Sequence, residues 1–389
     1  MFIEDNDAIC IFNGYKLITK KLGNMKISQS HIYKMQLPKI LNYITRRDRI
    51  TYLQMRNDRV IFIANYGVFI FSLMTGDVKK VLNLKVTRSI FQNSFVHLEN
   101  NYYFFDYSSS GLENGIAMHI SKDDGESWDS SIIIKKGNCK RVISSHYLNY
   151  SNKIIISTGD DEKNCKIYLL CLNDNSIKCI ATGSEDLRFM NILSENKNTL
   201  EWISNNRIKG SALICFNLQT GKFKRREIFA MPTNIWHSTI VGEKIYAAET
   251  IEPVKFYQNK KIIRVFEIFD KKSRVISTYH VSKLKYFFRY PSIEFLRSQN
   301  KKINILVTGT TQDGVFSVLD NSAVIPFPFL DYCIQNHIFE IKVWSIKTRD
   351  MIDIWKEFVK KTNIKKALNL SANSDLRKRN IIEKCKDYL

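Results

Sequence analysis

The sequence has few of the residues that break or bend a chain, with 15 glycines and 6 prolines among 389 residues. That scarcity excludes collagen-like and linker-dominated proteins. A hydrophobic fraction of 44% excludes a disordered chain. Uncharged apolar runs stay well short of the ~18 residues that a membrane-spanning helix needs. The first seven residues are acidic where a secretory signal is basic. We therefore expect a cytoplasmic protein with no transmembrane segment.

Cysteine is sparse and scattered. The eight cysteines form no Cys-x-x-Cys pair and no cluster with histidine. Zinc sites and redox centres need such spacing, so the sequence predicts neither metal nor cofactor. We expect buried, free thiols in a reducing compartment.

Acidic residues are too few to balance the basic ones. Lys and Arg total 59 against 38 Asp and Glu, which leaves a formal charge of +21. A charge of that size attracts polyanions, and nucleic acid is one of them. The lysines are spread along the whole chain, however, with no Lys/Arg run interleaved with aromatic residues. The sequence therefore predicts no nucleic-acid partner.

A repeat of about 50 residues runs through most of the chain. Seven turn dipeptides lie between apolar strands, and their second residues are 24, 76, 125, 175, 221, 272 and 321, with gaps of 52, 49, 50, 46, 51 and 49. Each repeat contains up to four short strands. Four antiparallel strands at ~40–50 residues are typical of a propeller blade, because one small sheet buries its faces only against neighbouring sheets. The sequence predicts an all-β, seven-bladed β-propeller. Six blades, with residues 1–35 as an edge decoration, is the alternative.

The two ends of the chain depart from this repeat. The first repeat lacks a recognisable first strand and starts at about Ala8–Phe12. The segment Ile338–Ile346 is rich in β-formers, and we expect it to close the ring on the first blade. Beyond Thr348, apolar residues at i, i+3, i+4 and i+7 predict helices. The predicted domains are a propeller over residues 1–346 and a basic helical extension over residues 347–389. That extension would pack on the rim or contact a protein or membrane surface.

One turn carries a motif with a family resemblance: Ser121-Lys122-Asp123-Asp124-Gly125-Glu126-Ser127-Trp128. It resembles the Asp box, or bacterial neuraminidase repeat, whose pattern is Ser/Thr-x-Asp-x-Gly-x-Thr-Trp. The resemblance implies a sialidase-like β-propeller, and the motif itself is structural in that family. Asp123 would cap turn N–H groups, Gly125 would supply a positive φ, and Trp128 would lie between strands. Ser127 stands where the family has Thr, and Ser121 opens the motif.

A second resemblance covers the runs Asn152–Asp160, Arg188–Asn206 and Gly242–Glu252. They look like bacterial Asp-box proteins encoded with surface-polysaccharide genes. Those proteins tend to carry His-x-His before the Thr-Gly-Asp strand, and this sequence has Arg141-Val142-Ile143 there instead.

Propeller ligands bind at one mouth of the central channel. The loops that lead into the first strand of successive repeats carry basic residues with gaps of 39, 53, 47, 49 and 52: Arg49, Arg88, Arg141, Arg188, His237 and Arg289. Arginine binds carboxylate and phosphate groups bidentately. The sequence therefore predicts an anion site, with the five arginines as substrate-binding residues.

Candidate catalytic groups lie in the loops between second and third strands. Glycoside hydrolysis needs two carboxylates, which Glu249 and Asp160 could supply. The resemblance to sialidases, which pair a Tyr with a carboxylate, makes Tyr107 a further candidate. A lyase of acidic polysaccharides would use His237 with a tyrosine instead.

Two functions are consistent with these patterns. One is a sialidase-like propeller that hydrolyses or otherwise processes an acidic glycan or acidic sugar at the channel mouth. The other is a non-catalytic propeller that binds acidic polysaccharide or scaffolds a polysaccharide-biosynthesis complex. Both take acidic carbohydrate as partner. The residues leave open whether the protein is an enzyme and, if so, whether it is a glycoside hydrolase or a polysaccharide lyase.

Overall fold

A computed structural model shows an all-β protein. Its twenty-eight described strands form seven antiparallel sheets, each built from four strands that are consecutive in the chain. The structure describes these strands and, between them, chiefly residues 92–105, 115–159 except 136 and 140, 161–251, and 261–281 except 271; residues 34–51 and 327–389 are outside the described set. The prediction of an all-β chain of short antiparallel strands is confirmed.

The first three sheets occupy the N-terminal third of the chain. Sheet 1 contains β1 (Phe2–Asp5), β2 (Ala8–Phe12), β3 (Leu17–Gly23) and β4 (Lys26–Tyr33). Sheet 2 contains β5 (Tyr52–Arg56), β6 (Arg59–Ala64), β7 (Gly67–Ser72) and β8 (Val78–Asn83). Sheet 3 contains β9 (Phe95–Leu98), β10 (Asn101–Phe105), β11 (Gly115–Ser121) and β12 (Asp129–Lys135).

Four more sheets follow. Sheet 4 contains β13 (Val142–Leu148), β14 (Lys153–Thr158), β15 (Lys166–Cys171) and β16 (Ile177–Thr182). Sheet 5 contains β17 (Ser194–Glu195), β18 (Thr199–Ile203), β19 (Leu213–Asn217) and β20 (Phe223–Arg226). Sheet 6 contains β21 (Ile235–Val241), β22 (Lys244–Glu249), β23 (Ile262–Phe269) and β24 (Lys272–His280). Sheet 7 contains β25 (Ser292–Leu296), β26 (Asn304–Thr308), β27 (Gly314–Ser317) and β28 (Ala323–Pro326). Short 3₁₀ helices cover Gln92–Ser94, Glu162–Asn164 and Glu185–Leu187.

The seven turn dipeptides that revealed the repeat occupy equivalent places. Each falls at the connection between the third and the fourth strand of its sheet, as Asp174-Asn175 does between β15 and β16. Positive φ angles occur at Gly125, Asn175 and Gly221, where the chain reverses. The regular spacing of the seven dipeptides therefore reflects a hairpin that recurs between the third and fourth strands of each sheet.

The first repeat has the strand that the sequence analysis found missing, so that expectation is wrong. β1 pairs with β2 from Phe2 opposite Ile11 to Asp5 opposite Ala8. The strand escaped notice because half of its four residues are acidic, and acidic residues are depleted in strands. Sheet 1 therefore needs no strand from the C-terminal region. Both Ile338–Ile346 and the helices expected over residues 347–389 are outside the described residues.

Successive sheets pack face to face through shared apolar layers. The layers use Ile61 and Phe104 between sheets 2 and 3, Phe105 and Ile154 between sheets 3 and 4, Ile155 and Trp202 between sheets 4 and 5, Ile203 and Phe266 between sheets 5 and 6, and Tyr246 and Ile305 between sheets 6 and 7. Adjacent residues such as Ile154 and Ile155 serve opposite faces, because side chains alternate along a strand. Sheets that each bury both faces against two neighbours are arranged as the blades of a β-propeller.

The first strand of each sheet is the innermost. The Asn93 side chain, just before β9, donates to the carbonyl oxygen of Met190, just before β17, over 2.6 Å. The Ser144 hydroxyl in β13 contacts the backbone carbonyl oxygens of Asn93 and Met190, at 3.2 and 2.8 Å respectively. Ser238 in β21 donates to the Asn191 side-chain oxygen at 2.8 Å. Small polar side chains thus join the first strands of sheets 3 to 6, while fourth strands such as β8 and β12 are largely exposed.

Candidate functional site

The loops after the second strands and the loops before the first strands meet at one end of the sheets, here called the mouth end. Three backbone hydrogen bonds define equivalent positions there. The N–H groups of Gly159, Asn205 and Thr250 donate to the carbonyl oxygens of Arg141, Arg188 and Asn234, at 3.2, 2.9 and 3.0 Å. Arg141 and Arg188 are therefore equivalent in sheets 4 and 5, as their spacing suggested.

The proposed ring of basic residues is not continued by His237. Asn234 takes the equivalent position in sheet 6, whereas His237 lies further along β21, opposite Ala248 and next to a bulge. Arg141 is half-buried, and its Nε donates to the carbonyl oxygen of Gly159 at 3.3 Å. Arg188 is enclosed, with 1% of its surface exposed, and its Nη1 lies 3.9 Å from Glu185 Oε1. Arg188 is thus part of the interior.

Five predicted site residues fall outside the described residues: Arg49, Arg88, Arg289, Asp160 and Tyr107. Of the predicted catalytic residues, the structure describes Glu249 and His237. Glu249 ends β22 and is fully buried, with its Oε2 3.9 Å from Arg264 Nε. A carboxylate enclosed in this way does not reach a polymeric substrate. The described geometry brings Glu249 close to an arginine, but this arginine is not one of the five that the sequence analysis selected.

The mouth end of sheet 5 contains two buried carboxylates that the sequence analysis missed. Glu185 and Asp186 belong to the 3₁₀ helix Glu185–Leu187, whose first turn is capped by the Ser184 hydroxyl accepting from the Asp186 N–H at 3.1 Å. Glu185 accepts from the Arg207 backbone N–H at 2.7 Å and from Arg207 Nη2 at 2.8 Å. The pair is charge-assisted and largely removed from water, which strengthens it.

Asp186 has a partner set of its own. Its Oδ1 accepts from Asn206 Nδ2 at 2.8 Å, from the Ser204 hydroxyl at 3.1 Å and from Arg225 Nη1. Its backbone oxygen accepts from the indole N–H of Trp202 at 2.9 Å. The carboxylate is 2% exposed, so these donors replace the water that burial removed.

The same network reaches sheet 6. Asn205 Nδ2 donates to the Asn234 side-chain oxygen at 2.6 Å and to the carbonyl oxygen of Ile235 at 3.2 Å. We call the connected set the charged clasp: Glu185, Asp186, Arg188, Asn205, Asn206, Arg207, Arg225 and Asn234. Its charges are directed at one another, so the clasp fixes the mouth-end loops and ties sheet 5 to sheet 6.

A buried thiol lies beside the clasp. Cys165 donates from its Sγ to the carbonyl oxygen of Asp161 at 3.1 Å. Burial raises the pKa of the Cys165 thiol to about 12, although the nearby Arg188 acts in the opposite direction. Because the thiolate is the reactive form, we expect Cys165 to be unreactive at neutral pH. Among the described residues, no group of three or more His, Cys, Asp or Glu side chains could hold a metal ion.

The Asp-box-like turn has the geometry expected of its residues. Asp123 accepts from the Ser127 N–H at 2.9 Å and from the Ser127 hydroxyl at 2.5 Å. Gly125 has a φ of 90°, and its N–H donates to the Ser121 hydroxyl at 2.8 Å. Burial opposes ionisation of Asp123, but the hydrogen bonds from Ser127 and Ser121 outweigh it and hold the pKa of this carboxyl below its usual range.

The turn also joins two sheets. Trp128 is half-buried, donates to the carbonyl oxygen of Gly125 at 2.8 Å and meets Phe104 edge-on at 5.3 Å between ring centroids. Glu126 forms ion pairs with Arg59 at 2.7 Å and Lys79 at 3.1 Å, both on sheet 2. The motif therefore connects sheet 3 to sheet 2 at the outer edge, away from the mouth end.

Comparisons with known proteins give no family. No family model and no curated protein matches this chain. Among solved structures, BamB from Moraxella catarrhalis is 10% identical over 77% of each chain, with a TM-score of 0.45. A putative TolB from Agrobacterium tumefaciens is 12% identical over 60% of this chain and 82% of its own, with a TM-score of 0.40. A prolyl endopeptidase is 8% identical over 83% of this chain and 48% of its own, with a TM-score of 0.49. No activity is transferred from likenesses this distant.

The helices within the described part of the chain include none that is long and apolar enough to cross a membrane.

Proposed function

We propose that this chain is a seven-bladed β-propeller that binds an acidic polysaccharide without converting it. Binding is favoured over catalysis by the enclosure of two predicted site residues, the predicted catalytic residue Glu249 and the predicted substrate-binding residue Arg188. Glu249 and Arg188 are 0% and 1% exposed, and each lies 3.9 Å from a group of opposite charge, Arg264 and Glu185 respectively. The seven four-stranded sheets support the blade number.

The basic charge of the chain is unevenly distributed from the inside outward. The fourth strands of the seven sheets carry ten Lys or Arg and one Asp, a net of 10 − 1 = +9. The first strands carry one Arg and four Asp or Glu, a net of 1 − 4 = −3. The outer circumference, here called the basic rim, therefore carries more positive charge along its strands than the first strands do, and we expect it to attract polyanions.

A long polyanion suits a rim whose cations are spread over successive sheets. It can contact several fourth strands at once and release a counterion at each cation. Among the described fourth strands, the large apolar side chains that are exposed are Val78, Ile132 and Val275, and none of them is aromatic. Phe269, which is 51% exposed, pairs with Lys272 at the start of β24, so single-stranded nucleic acid would find one isolated stacking partner there and none among the exposed apolar side chains of the described fourth strands. A polyuronate chain, which carries carboxylates and needs no stacking, fits better.

The test compares two charge-reversal variants of the whole chain. The rim variant is Lys178→Glu/Lys224→Glu/Arg226→Glu, on two adjacent fourth strands. The control, Lys163→Glu/Lys197→Glu/Lys261→Glu, changes the net charge equally at exposed positions away from the rim. Polygalacturonate binding is measured at several salt concentrations. The rim variant should bind at least about tenfold more weakly, with a salt slope reduced by about two to three.

Two outcomes would refute the proposal. Equal loss in both variants would mean that only net charge matters. Release of reducing ends or of unsaturated products from polygalacturonate, alginate or sialylated glycans would show catalysis and restore the enzymatic alternative.

A further inference from the structure

An exposed apolar surface lies at the mouth end, directly above the charged clasp. Ile208 and Met231 are 59% and 50% exposed, and Pro232 is exposed beside Met231. The two loops that carry them adjoin, because the Ser211 N–H donates to the carbonyl oxygen of Thr233 at 2.7 Å. A Cβ added at Gly210 would lie 2.9 Å from Pro232 Cα. We call Ile208, Met231 and Pro232 the apolar tip.

The buried network holds the tip in place. Asn206 Oδ1 accepts from the N–H groups of Ile208 and Lys209 at 3.0 and 2.8 Å, while Asn206 Nδ2 donates to Asp186. Arg225 Nη2 donates to the carbonyl oxygen of Gly210 at 2.9 Å. A loop fixed in this way presents Ile208 to solvent with little conformational freedom. Preorganisation lowers the entropy that a partner must lose on binding.

Cationic groups surround the tip. Lys209 follows Ile208 and is exposed. Arg264 lies beside Met231, with its Nη1 3.0 Å from Met231 Sδ, and Arg207 precedes Ile208 with a quarter of its side chain exposed. Their own carboxylate neighbours, Glu249 and Glu185, are buried beneath the surface. The face presented to a partner is therefore apolar at its centre and positive on the side of Lys209 and Arg264, while the exposed Glu227, paired with Arg225, lies on the side of Gly210.

We propose that the apolar tip docks a segment of a partner protein that carries one apolar side chain flanked by carboxylates. The apolar side chain would cover Ile208 and Met231, and the carboxylates would face Lys209 and Arg264. Interfaces are organised in this manner, with a desolvated apolar anchor inside a polar edge. The tip offers aliphatic and thioether groups and no aromatic ring on which a sugar could stack. This docking is independent of polyanion binding, because the tip is at the mouth end and the rim is formed by the fourth strands.

The experiment begins with selection. A phage library of random 12-residue peptides is panned against the full-length chain, and enriched peptides are synthesised. We expect sequences with an apolar residue flanked by Asp or Glu. Affinity for such a peptide is then measured for the wild type, Ile208→Asp, Met231→Asp and the control Ile132→Asp, whose position on β12 is 50% exposed. The tip variants should bind at least about tenfold more weakly, and the control less than about threefold.

Several results would overturn the proposal. These are the absence of enrichment, enrichment of peptides without acidic residues, or equal loss in the Ile132→Asp control. Ile208-dependent binding of phosphatidylserine vesicles or of polygalacturonate, with no peptide binding, would assign the tip to another partner class. A dimer in light scattering that Ile208→Asp converts to monomer would assign it to a second copy of this chain. Since the substituted side chains are exposed, unchanged thermal unfolding identifies variants that fold normally.

Discussion

Removing the cation that faces Asp186 tests whether the charged clasp stabilises the protein. Arg225→Met keeps a long, flexible side chain but leaves the buried carboxylate with the neutral donors Asn206 and Ser204. It also removes the hydrogen bond from Arg225 to the carbonyl oxygen of Gly210. The perturbation therefore isolates a negative charge in a place that water barely reaches.

The expected cost follows from burial. The Asp186 and Arg225 side chains are 3% and 16% exposed, so the pair belongs with buried rather than surface ion pairs. Breaking a buried pair by removing one partner costs about 3–5 kcal/mol, whereas an exposed pair contributes about 0–1 kcal/mol. We expect Arg225→Met to lower the free energy of unfolding by about 3–5 kcal/mol.

A second variant separates the charge from the packing. In Arg225→Met/Asp186→Asn the carboxylate charge is gone, so at least about half of the lost stability should return through non-additivity. Urea unfolding followed by tryptophan fluorescence provides the measurement, since Trp202 is fully buried and bonded to the backbone oxygen of Asp186. A loss below about 1 kcal/mol in the single variant, or a double variant less stable than the single one, would contradict the reasoning.

Three further predictions concern other regions. Gly125→Ala should destabilise by about 1–3 kcal/mol, and more than Gly137→Ala, because both glycines have positive φ but only at Gly125 would a Cβ meet Ile61, at 2.8 Å; equal urea midpoints would contradict this. The pKa of Glu267 is lowered despite burial, so its ionised carboxylate contributes fully to the free energy of unfolding above the unfolded-state pKa of 4.5, and this contribution is lost as the pH falls below that value. In Glu267→Gln, the free energy of unfolding should therefore depend less on pH in that acidic range. Cys165 should resist iodoacetamide in the native protein, and mass spectrometry that finds it modified before unfolding would contradict its burial.

The repeat could be predicted from the sequence because its signal is local. Each sheet is a run of four neighbouring strands, and the turn between the last two, such as Thr220-Gly221, has its own residue preferences. The four residues of β1 were missed because Glu4 and Asp5 obscure a two-residue apolar start. Short strands at a chain end are recognised by their pairing, which the sequence does not display.

The candidate site was predicted less well, for two physical reasons. His237 was chosen for its charge and spacing, but a bulge between Ile235 and His237 changes the register, so Asn234 occupies the equivalent position. The clasp depends on pairs that are distant in the chain, such as Glu185 with Arg207. The adjacent acids of Ser184-Glu185-Asp186 were a visible signal for a capped turn. No pattern in the neighbouring sequence identified Arg207 and Arg225 as the arginines that pair with these two acids.

The hydrogen bond that the Asn93 side chain makes affects how the sheets separate when the protein unfolds. A linear array of sheets that contact only their neighbours can lose its members one at a time. The hydrogen bond from the Asn93 side chain to Met190 joins sheets 3 and 5. Ser144, in the first strand of sheet 4, contacts the carbonyl oxygens of both residues. Detaching any of the three sheets breaks contacts made by the other two. The inner amides of β9, β13 and β17 should therefore exchange with deuterium at a common rate, in a single cooperative opening.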